Sequence, residues 1–364
     1  MSKVKVQKTV LVAMSGGVDS SVVACLLQQQ GFKVIGVFMH FWAEAGIESD
    51  FGEKNKCCSI ESFNDARRVA QKYNFPIYTL NLEDKFKKEV VDEFLLSYAR
   101  GETPNPCVQC NKFIKFAPLL RKADELGADF VATGHYAEVV EQGGIFELHR
   151  PLDTEKDQTY FLYNLTQTQL SQIMFPLSKL KKPEVRKLAK EFVLEVAEKR
   201  ESQEICFVPE KSHNEFLKRH LDLQPGRIVT EEGEDLGEHQ GLPLYTIGQR
   251  KGLEIGGTGP YYASRFDYTQ NILYATNSLD SDVLFKSSLT AHDFAWISPV
   301  SEMTFDCLAV IRYRHLAVPA NATIDSEGLV HIIFVEPQRA ITSGQSVVLY
   351  SADNQILLGG GIIC

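Results

Sequence analysis

Apolar residues run without interruption through Thr9-Val10-Leu11-Val12-Ala13-Met14, break at Ser15-Gly16-Gly17-Val18-Asp19-Ser20, and resume as Ser21-Val22-Val23-Ala24-Cys25-Leu26-Leu27 before Gly31. That succession predicts a buried strand, a glycine turn and a capped helix. A second apolar run, Val34-Ile35-Gly36-Val37-Phe38-Met39, follows at once. Beyond a polar, irregular stretch from Glu44 to Cys58, Phe63, Ala66, Ala70 and Tyr73 recur at helical spacing. Ile77-Tyr78-Thr79-Leu80 predicts a third strand, and Phe86, Val90, Phe94, Leu95 and Tyr98 a helix closed by Gly101. Phe113, Phe116, Leu120 and Ala123 mark one more helix before the strand Phe130-Val131-Ala132-Thr133. Strands alternating with helices imply an α/β fold, a doubly wound parallel sheet covered on both faces. Ligands of such sheets lie beyond the carboxyl ends of the strands, and Ser15, Met39 and Gly134 stand at three such ends.

Past residue 200 the texture changes. Glycines and turn residues are dense from Gly226 to Gly259, and Gly241-Leu242-Pro243-Leu244-Tyr245-Thr246-Ile247-Gly248-Gln249-Arg250-Lys251-Gly252 reads as loop and short strand. From Ser288 the chain becomes strand after strand: Phe305 to Tyr313, Ala322 to Ile324, Leu329 to Phe334, Val347 to Tyr350 and Ile356 to Leu358. Short strands with regular turns predict a compact β-barrel or sandwich. The expected domains are therefore residues 1–208, a small β-rich unit over 209–284, and a β-barrel over 285–364.

The 364 residues are enough for two or three domains, each burying a core. Met1 to Gln7 is polar, without the apolar region of a signal peptide, and no segment approaches the roughly 20 apolar residues of a membrane helix. Eight unevenly spaced cysteines do not suggest a secreted disulfide scaffold, so a reducing cytoplasm is expected. A formal charge of −9 argues against indiscriminate nucleic-acid binding but leaves room for local basic faces. Lys179, Lys181, Lys182, Arg186, Lys187 and Lys190 crowd one stretch, and Arg312 and Arg314 another; taken alone, each reads as a solvated face.

Two features carry chemistry. In Ser15 to Ser20 the glycines admit a ligand close to the backbone, and hydroxyls and N–H groups converge on the positive end of a helix dipole, a site suited to phosphate. No Gly-Lys-Ser/Thr triplet closes it, so it is not a Walker loop. The second is Thr103-Pro104-Asn105-Pro106-Cys107-Val108-Gln109-Cys110-Asn111, two thiols three residues apart just before a helix, where the dipole favours thiolate. On its own a C-x-x-C is equally a redox pair, half a zinc site or a cluster ligand, and adjacent Cys57-Cys58 lacks the spacing of a structural pair. Cys206, between apolar neighbours in Gln203-Glu204-Ile205-Cys206-Phe207-Val208, reads by itself as a core cysteine.

The Ser15–Ser20 spacing resembles the PP-loop of the ATP pyrophosphatases, which cleave ATP between the α and β phosphates. With Thr103 to Asn111, Ala132-Thr133-Gly134-His135-Tyr136, Lys156-Asp157-Gln158, Ile205-Cys206-Phe207 and Tyr245-Thr246-Ile247-Gly248-Gln249-Arg250, it occurs in the order seen in bacterial tRNA-specific 2-thiouridylases, over essentially the whole chain. That family replaces the 2-oxygen of the wobble uridine in the tRNAs for Lys, Glu and Gln with sulfur relayed as a persulfide from a cysteine desulfurase.

The resemblance implies an ATP-dependent sulfurtransferase. It assigns Ala13, Met14, Ser15, Gly16, Gly17, Val18, Asp19, Ser20, Met39 and Gly134 to ATP, with Mg2+ accompanying the nucleotide chiefly through phosphates and water. Asn105, Pro106 and Cys107 would line the target-base pocket. Cys206 would carry the persulfide and Cys110 would attack it, leaving a Cys110–Cys206 disulfide. His135, Lys156, Asp157, Gln158, Arg312, Tyr313 and Gln345 match positions that touch tRNA. The implied partners are tRNA and a persulfide donor protein, with one subunit sufficient and no membrane involved. Some family members have an aspartate, proposed as general acid/base, where this chain has Cys107. That leaves proton transfer unassigned and keeps open an iron–sulfur cluster on Cys107, Cys110 and Cys206. Other readings are a PP-loop ligase or amidotransferase adenylating a small-molecule carboxylate, and a non-enzymatic RNA-binding scaffold.

Overall fold

The computed structural model describes residues 7–44, 59–199, 205–208, 213–256, 259–300 and 302–364. The Cys57-Cys58 pair, most of the polar stretch after Glu44, and Gln203-Glu204 lie outside them. The first half contains the strands β1 (Thr9–Met14), β2 (Lys33–His40), β3 (Ile77–Asn81) and β4 (Phe130–Ala132), a hairpin β5 (Glu138–Gln142) and β6 (Ile145–His149), and β7 (Ile173–Met174). A parallel sheet runs in the order β3-β2-β1-β4-β7. Helices α1 (Val18–Gln29), α2 (Ile60–Lys72), α3 (83–99), α4 (106–126) and α5 (Lys182–Glu191) belong with it.

The unbroken apolar run of β1 is explained by burial on both faces. Val10, Val12 and Met14 meet Val22 and Val23 of α1, Ala66 and Val69 of α2, and Val185 and Ala189 of α5. Leu11 and Ala13 meet Leu119 and Ala123 of α4 on the other face. The chain leaves β1 toward β2 on one side, and β4 lies on the other, so a crevice opens past the carboxyl end of β1.

The middle segment, α6 (His213–His220) with β8 (Gly226–Val229), β9 (Asp235–His239), β10 (Tyr262–Asp267) and β11 (Ile272–Thr276), forms a small sheet in the order β10-β11-β8-β9. Its apolar side chains, Ile228, Leu244, Leu273 and Ala275 among them, share one cluster with Phe86, Phe94 and Cys110 of the first half. It is thereby fixed to the first half through a common core.

The C-terminal strands are β12 (Phe285–Trp296), β13 (Thr304–Val310), β14 (Val318–Ile324), β15 (Val330–Arg339), β16 (Ser346–Tyr350) and β17 (Ile356–Ile363). They run antiparallel in the order β12-β15-β14-β13-β16-β17, and β17 pairs back onto β12 to close a barrel. Gly359 and Gly360 permit this closure: a Cβ would lie 2.5 Å from the Ala295 carbonyl oxygen at the first and 2.7 Å from the Tyr163 ring at the second. β6 then adds to β17, and β5 to β6, so a hairpin from the first half extends the barrel sheet.

Candidate active site

The Ser15–Ser20 loop has the geometry expected of an anion receptor. Gly17 caps α1 in an extended conformation without a side-chain hydrogen bond to the first turn, so side chains leave the helix's leading N–H groups uncapped. The Ser20 hydroxyl accepts from Ser15 N at 3.1 Å and lies 3.2 Å from Ser15 Oγ, which folds the loop over the helix end. Gly16 adopts φ +71°, and a Cβ there would sit 2.1 Å from the Ser62 carbonyl oxygen, so the first turn of α2 presses directly on the loop. Gly134, just past β4, lies over Asp19 closely enough that a Cβ would approach Asp19 Cβ to 3.0 Å. Met39, the penultimate residue of β2, is partly buried, whereas the Met14 and Val18 side chains belong to the core.

Asp19 is the centre of a polar knot. Its carboxylate accepts from Lys182 Nζ at 2.7 Å on both oxygens and from the Tyr136 hydroxyl at 3.0 Å. Lys182 is 7 % exposed, which corrects the expectation of a solvated face for that residue. Burial is tolerated because the ammonium is paired with a carboxylate. Tyr136 N in turn donates to Gln158 Oε1 at 3.0 Å, so the Lys156-Asp157-Gln158 segment connects to the phosphate loop through one tyrosine. A second cation stands behind the loop, where Lys199 Nζ donates to Asp65 Oδ2 at 2.6 Å and to Ser62 Oγ at 3.3 Å.

The two sulfur candidates converge on one apolar cluster at the carboxyl edge of the sheet. Cys110 is buried among Phe86, Val90, Val91, Phe94 and Ile114, and Cys206 packs against the same cluster. Phe207 fixes its neighbour there, with ring contacts to Phe86, Phe94 and Phe216 at 5.8, 5.3 and 5.7 Å. Helix α4 widens to a π-turn from Cys110 to Lys115, and α3 does so from Lys87 to Asp92. These widened turns pack against each other, and the second lets adjacent Val90 and Val91 both face inward. In α4 the cause is visible in the sequence: Pro118 offers no N–H to the Ile114 carbonyl and crowds it. Cys107, at the second position of the helix, is exposed.

The remaining candidates surround the start of α4. Gln345 Nε2 donates to the Thr103 carbonyl at 2.8 Å, Thr103 N donates to the Ser343 carbonyl at 2.9 Å, and Asn105 hydrogen-bonds the Tyr160 hydroxyl. Pro106 is buried at the helix start. Tyr313 packs on Phe161 at 4.4 Å, and exposed Arg312 donates to the Ala340 carbonyl at 3.2 Å. His135 lies between Phe116 and Phe175 with Nδ1 2.8 Å from Thr133 Oγ1, and burial, aided by Lys115, holds its pKa well below the ordinary range. Lys156 is half-buried. Asp157 points inward: its carboxylate pairs with Arg150 and accepts from Thr159 N at 2.9 Å and Thr159 Oγ1 at 2.6 Å.

Family models cover nearly the whole chain: a tRNA methyl transferase HUP domain matches residues 8–210, a tRNA methyl transferase PRC-barrel domain residues 214–277, and an aminomethyltransferase beta-barrel domain residues 286–363. The tRNA-specific 2-thiouridylase MnmA of Geobacter metallireducens is 45% identical over 363 residues, covering 99% of this chain and 97% of that protein. The 2-thiouridylases of Carboxydothermus hydrogenoformans and Oceanobacillus iheyensis are each 47% identical, covering 98% and 97% of this chain and 98% and 94% of their own. The chain belongs to the tRNA-specific 2-thiouridylase family. Although the family models are named for methyl transfer, these full-length relatives are thiouridylases.

Within this thiouridylase fold, no three His, Cys, Asp or Glu side chains come together as a metal site among the described residues. Also among the described residues, no helix is long and apolar enough to cross a membrane. Sequence reasoning gave no site role to Lys182, Tyr136, Lys199 or Asp65. The available signal was Lys182-Pro183 at a helix start, a cation placed at the unfavourable end of the dipole.

Proposed function

We propose that the chain catalyses ATP-dependent 2-thiolation of the wobble uridine of tRNA. The observation that carries this reading is the sharing of one apolar cluster by Cys110 and Cys206, beside the sheet edge that presents the phosphate loop. A uridine 2-oxygen is a poor leaving group. Bonding of that oxygen to the α-phosphorus breaks the α–β bridging bond, pyrophosphate departs with the electron pair, and the N3 proton passes to solvent. The loop's N–H groups are placed to stabilise the charge that develops. The terminal sulfur of a Cys206 persulfide then attacks C2, and AMP leaves with the C2–O pair. Cys110 thiolate attacks the Cys206 sulfur, the S–S electrons pass to the new thiocarbonyl as N3 regains a proton, and a thiol reductant reopens the resulting disulfide.

The surroundings suit these steps. Phe86, Phe94, Phe207 and Phe216 form an apolar wall at the thiols, where exclusion of water protects the adenylate from hydrolysis. Mg2+, which neutralises phosphate charge, would be held by the nucleotide with Asp19 as the nearest loop carboxylate. Asn105, Pro106 and Cys107 are the groups that meet a flipped base at the mouth of α4, where an unstacked anticodon loop makes extrusion inexpensive. Tyr313 and Arg312 serve base and phosphate contacts on the barrel. Gln158, Gln345 and Asp157 hold the backbone segments that face tRNA. A cytoplasmic, single-subunit enzyme charged by a persulfide donor protein completes the reading.

The test is anaerobic thiolation of unmodified tRNA. Cys110→Ser and Cys206→Ser should abolish sulfur incorporation while tRNA-dependent pyrophosphate release persists. Full thiolation by either variant refutes the thiol roles, and AMP release without tRNA returns the ligase reading.

A further inference from the structure

The phosphate loop has no lysine of its own, yet a lysine reaches it from a distant part of the chain. Lys182 Nζ lies 2.7 Å from both carboxylate oxygens of Asp19, the second residue of α1, and so within a turn of the loop's uncapped N–H groups. We propose that Lys182 is the phosphate-binding cation of this loop, held on Asp19 while the site is empty and transferred to the terminal phosphates of ATP when nucleotide binds. The proposal rests on the reading of Ser15–Ser20 as the nucleotide site.

Several features fit a partner exchange better than a structural ion pair. The stem of Lys182 is fixed: its backbone N donates to buried Asp153 at 2.7 Å, and Pro183 follows it. Its position in the first turn of α5 is electrostatically unfavourable for a cation and calls for a compensating role. The pair is also asymmetric, with the lysine side chain 9 % exposed and that of Asp19 28 %, so the contact is reached from the carboxylate side. A buried ion pair contributes little net stability over a well-packed apolar one. Asp19 has a second donor, the Tyr136 hydroxyl at 3.0 Å, which keeps the carboxylate in place when the lysine leaves. Finally, a polyphosphate cannot approach a bare carboxylate without repulsion. Lys182 neutralises Asp19 in the empty site and phosphate in the filled one, and the departure of the lysine frees the carboxylate for the metal that accompanies the nucleotide.

The experiment measures binding of the non-hydrolysable α,β-methylene analogue of ATP, with Mg2+, and of adenosine, by calorimetry on the full chain. Lys182→Met should weaken the analogue about 10- to 100-fold, the loss expected for a charge-assisted contact, and leave adenosine within twofold. Lys182→Arg should recover part of the analogue affinity, because it retains a cation. Equal analogue affinity in wild type and Lys182→Met overturns the proposal, as does a parallel loss of adenosine binding, which marks a purely structural lysine. Failure of the wild-type protein to bind the analogue defeats the nucleotide reading of the loop, and this proposal with it.

Discussion

Gly16 and Gly17 are adjacent, but the structure gives them different duties, and alanine at each separates fold from chemistry. At Gly16 the backbone is left-handed, φ +71°, which costs an L-residue about 1–2 kcal/mol. The new Cβ would also lie 2.1 Å from the Ser62 carbonyl oxygen and 2.7 Å from its carbon, far inside an ordinary contact of about 3.5 Å. Both neighbours are backbone, so relief requires the first turn of α2 to move, an overpacking cost of about 1–3 kcal/mol. Gly16→Ala should thus destabilise the first sheet by about 2–5 kcal/mol. Gly17→Ala differs: its φ of −95° suits any residue, and its Cβ meets only the Ser15 hydroxyl at 3.4 Å. The expected cost is the poorer cap, about 1 kcal/mol, with nucleotide affinity falling because a methyl group now faces the phosphates. In a Trp296→Phe background Trp42 is the remaining tryptophan, and its fluorescence through urea unfolding reports the first sheet. Coincident unfolding midpoints for the two glycine variants would refute the contact between the loop and α2.

Asp157→Ala should cost about 3–5 kcal/mol, because it leaves Arg150, with 16 % of its side chain exposed, without its carboxylate. Unchanged urea unfolding with weakened tRNA binding would instead make Asp157 a direct tRNA contact. Gln345→Ala removes the donor for the Thr103 and Pro104 carbonyls and should cost about 1–2 kcal/mol. Its thiolation rate should fall while nucleotide affinity is preserved, and a wild-type rate would show that the start of α4 needs no such support. His135 stays neutral in the folded protein below its ordinary pKa, chiefly through burial and secondarily through Lys115. On acidification below about 6.5 the unfolded chain takes up a proton that the folded chain refuses, so stability falls by up to about 1.4 kcal/mol per pH unit until the folded group itself titrates. His135→Asn should reduce that slope between pH 6.5 and 5 in urea titrations, and an unaltered slope would contradict the assignment.

Much of the first sheet was legible because β1 is buried on both faces and reads as an unbroken apolar run, while Gly16-Gly17 marks its end. The hairpin of β5 and β6 also carried a signal, Gly143-Gly144 with φ of +60° and +83° between two strand-like segments, which is a strong hairpin turn. Its destination was not legible, since joining β17 depends on a pairing with residues far along the chain. The π-turns of α3 and α4 escape a search for periodicity of three and four, which passes smoothly over one inserted residue. Lys182 was misread for a related reason. Its neighbours Lys179 and Lys187 have side chains 78 % and 79 % exposed, and charge composition alone cannot tell which lysine of a basic run turns inward. Its place at a helix start just before Pro183 is the sequence hint, and the tertiary approach of α5 to α1 is what turns it inward.

The start of α4 explains why the three segments of the chain act together. Thr103 is held by the Ser343 and Gln345 groups of the barrel, while its hydroxyl lies 3.2 Å from the Thr246 hydroxyl of the middle segment. Gly344, at φ +84°, leaves no room for a Cβ: one would stand 2.8 Å from Glu102 Cβ and 2.9 Å from Thr103 N. Tyr160 and Tyr163 donate to or share hydrogen bonds with Ser346 on the same barrel edge. Two short steps beyond Thr103 the chain reaches Asn105 and Pro106, and then the turn that buries Cys110. A barrel that only bound nucleic acid would not need these contacts. Here its loop between β15 and β16 braces the segment that leads to Cys110, so, with Cys110 as the proposed attacking thiol, the geometry of sulfur transfer would depend on residues from all three parts of the chain.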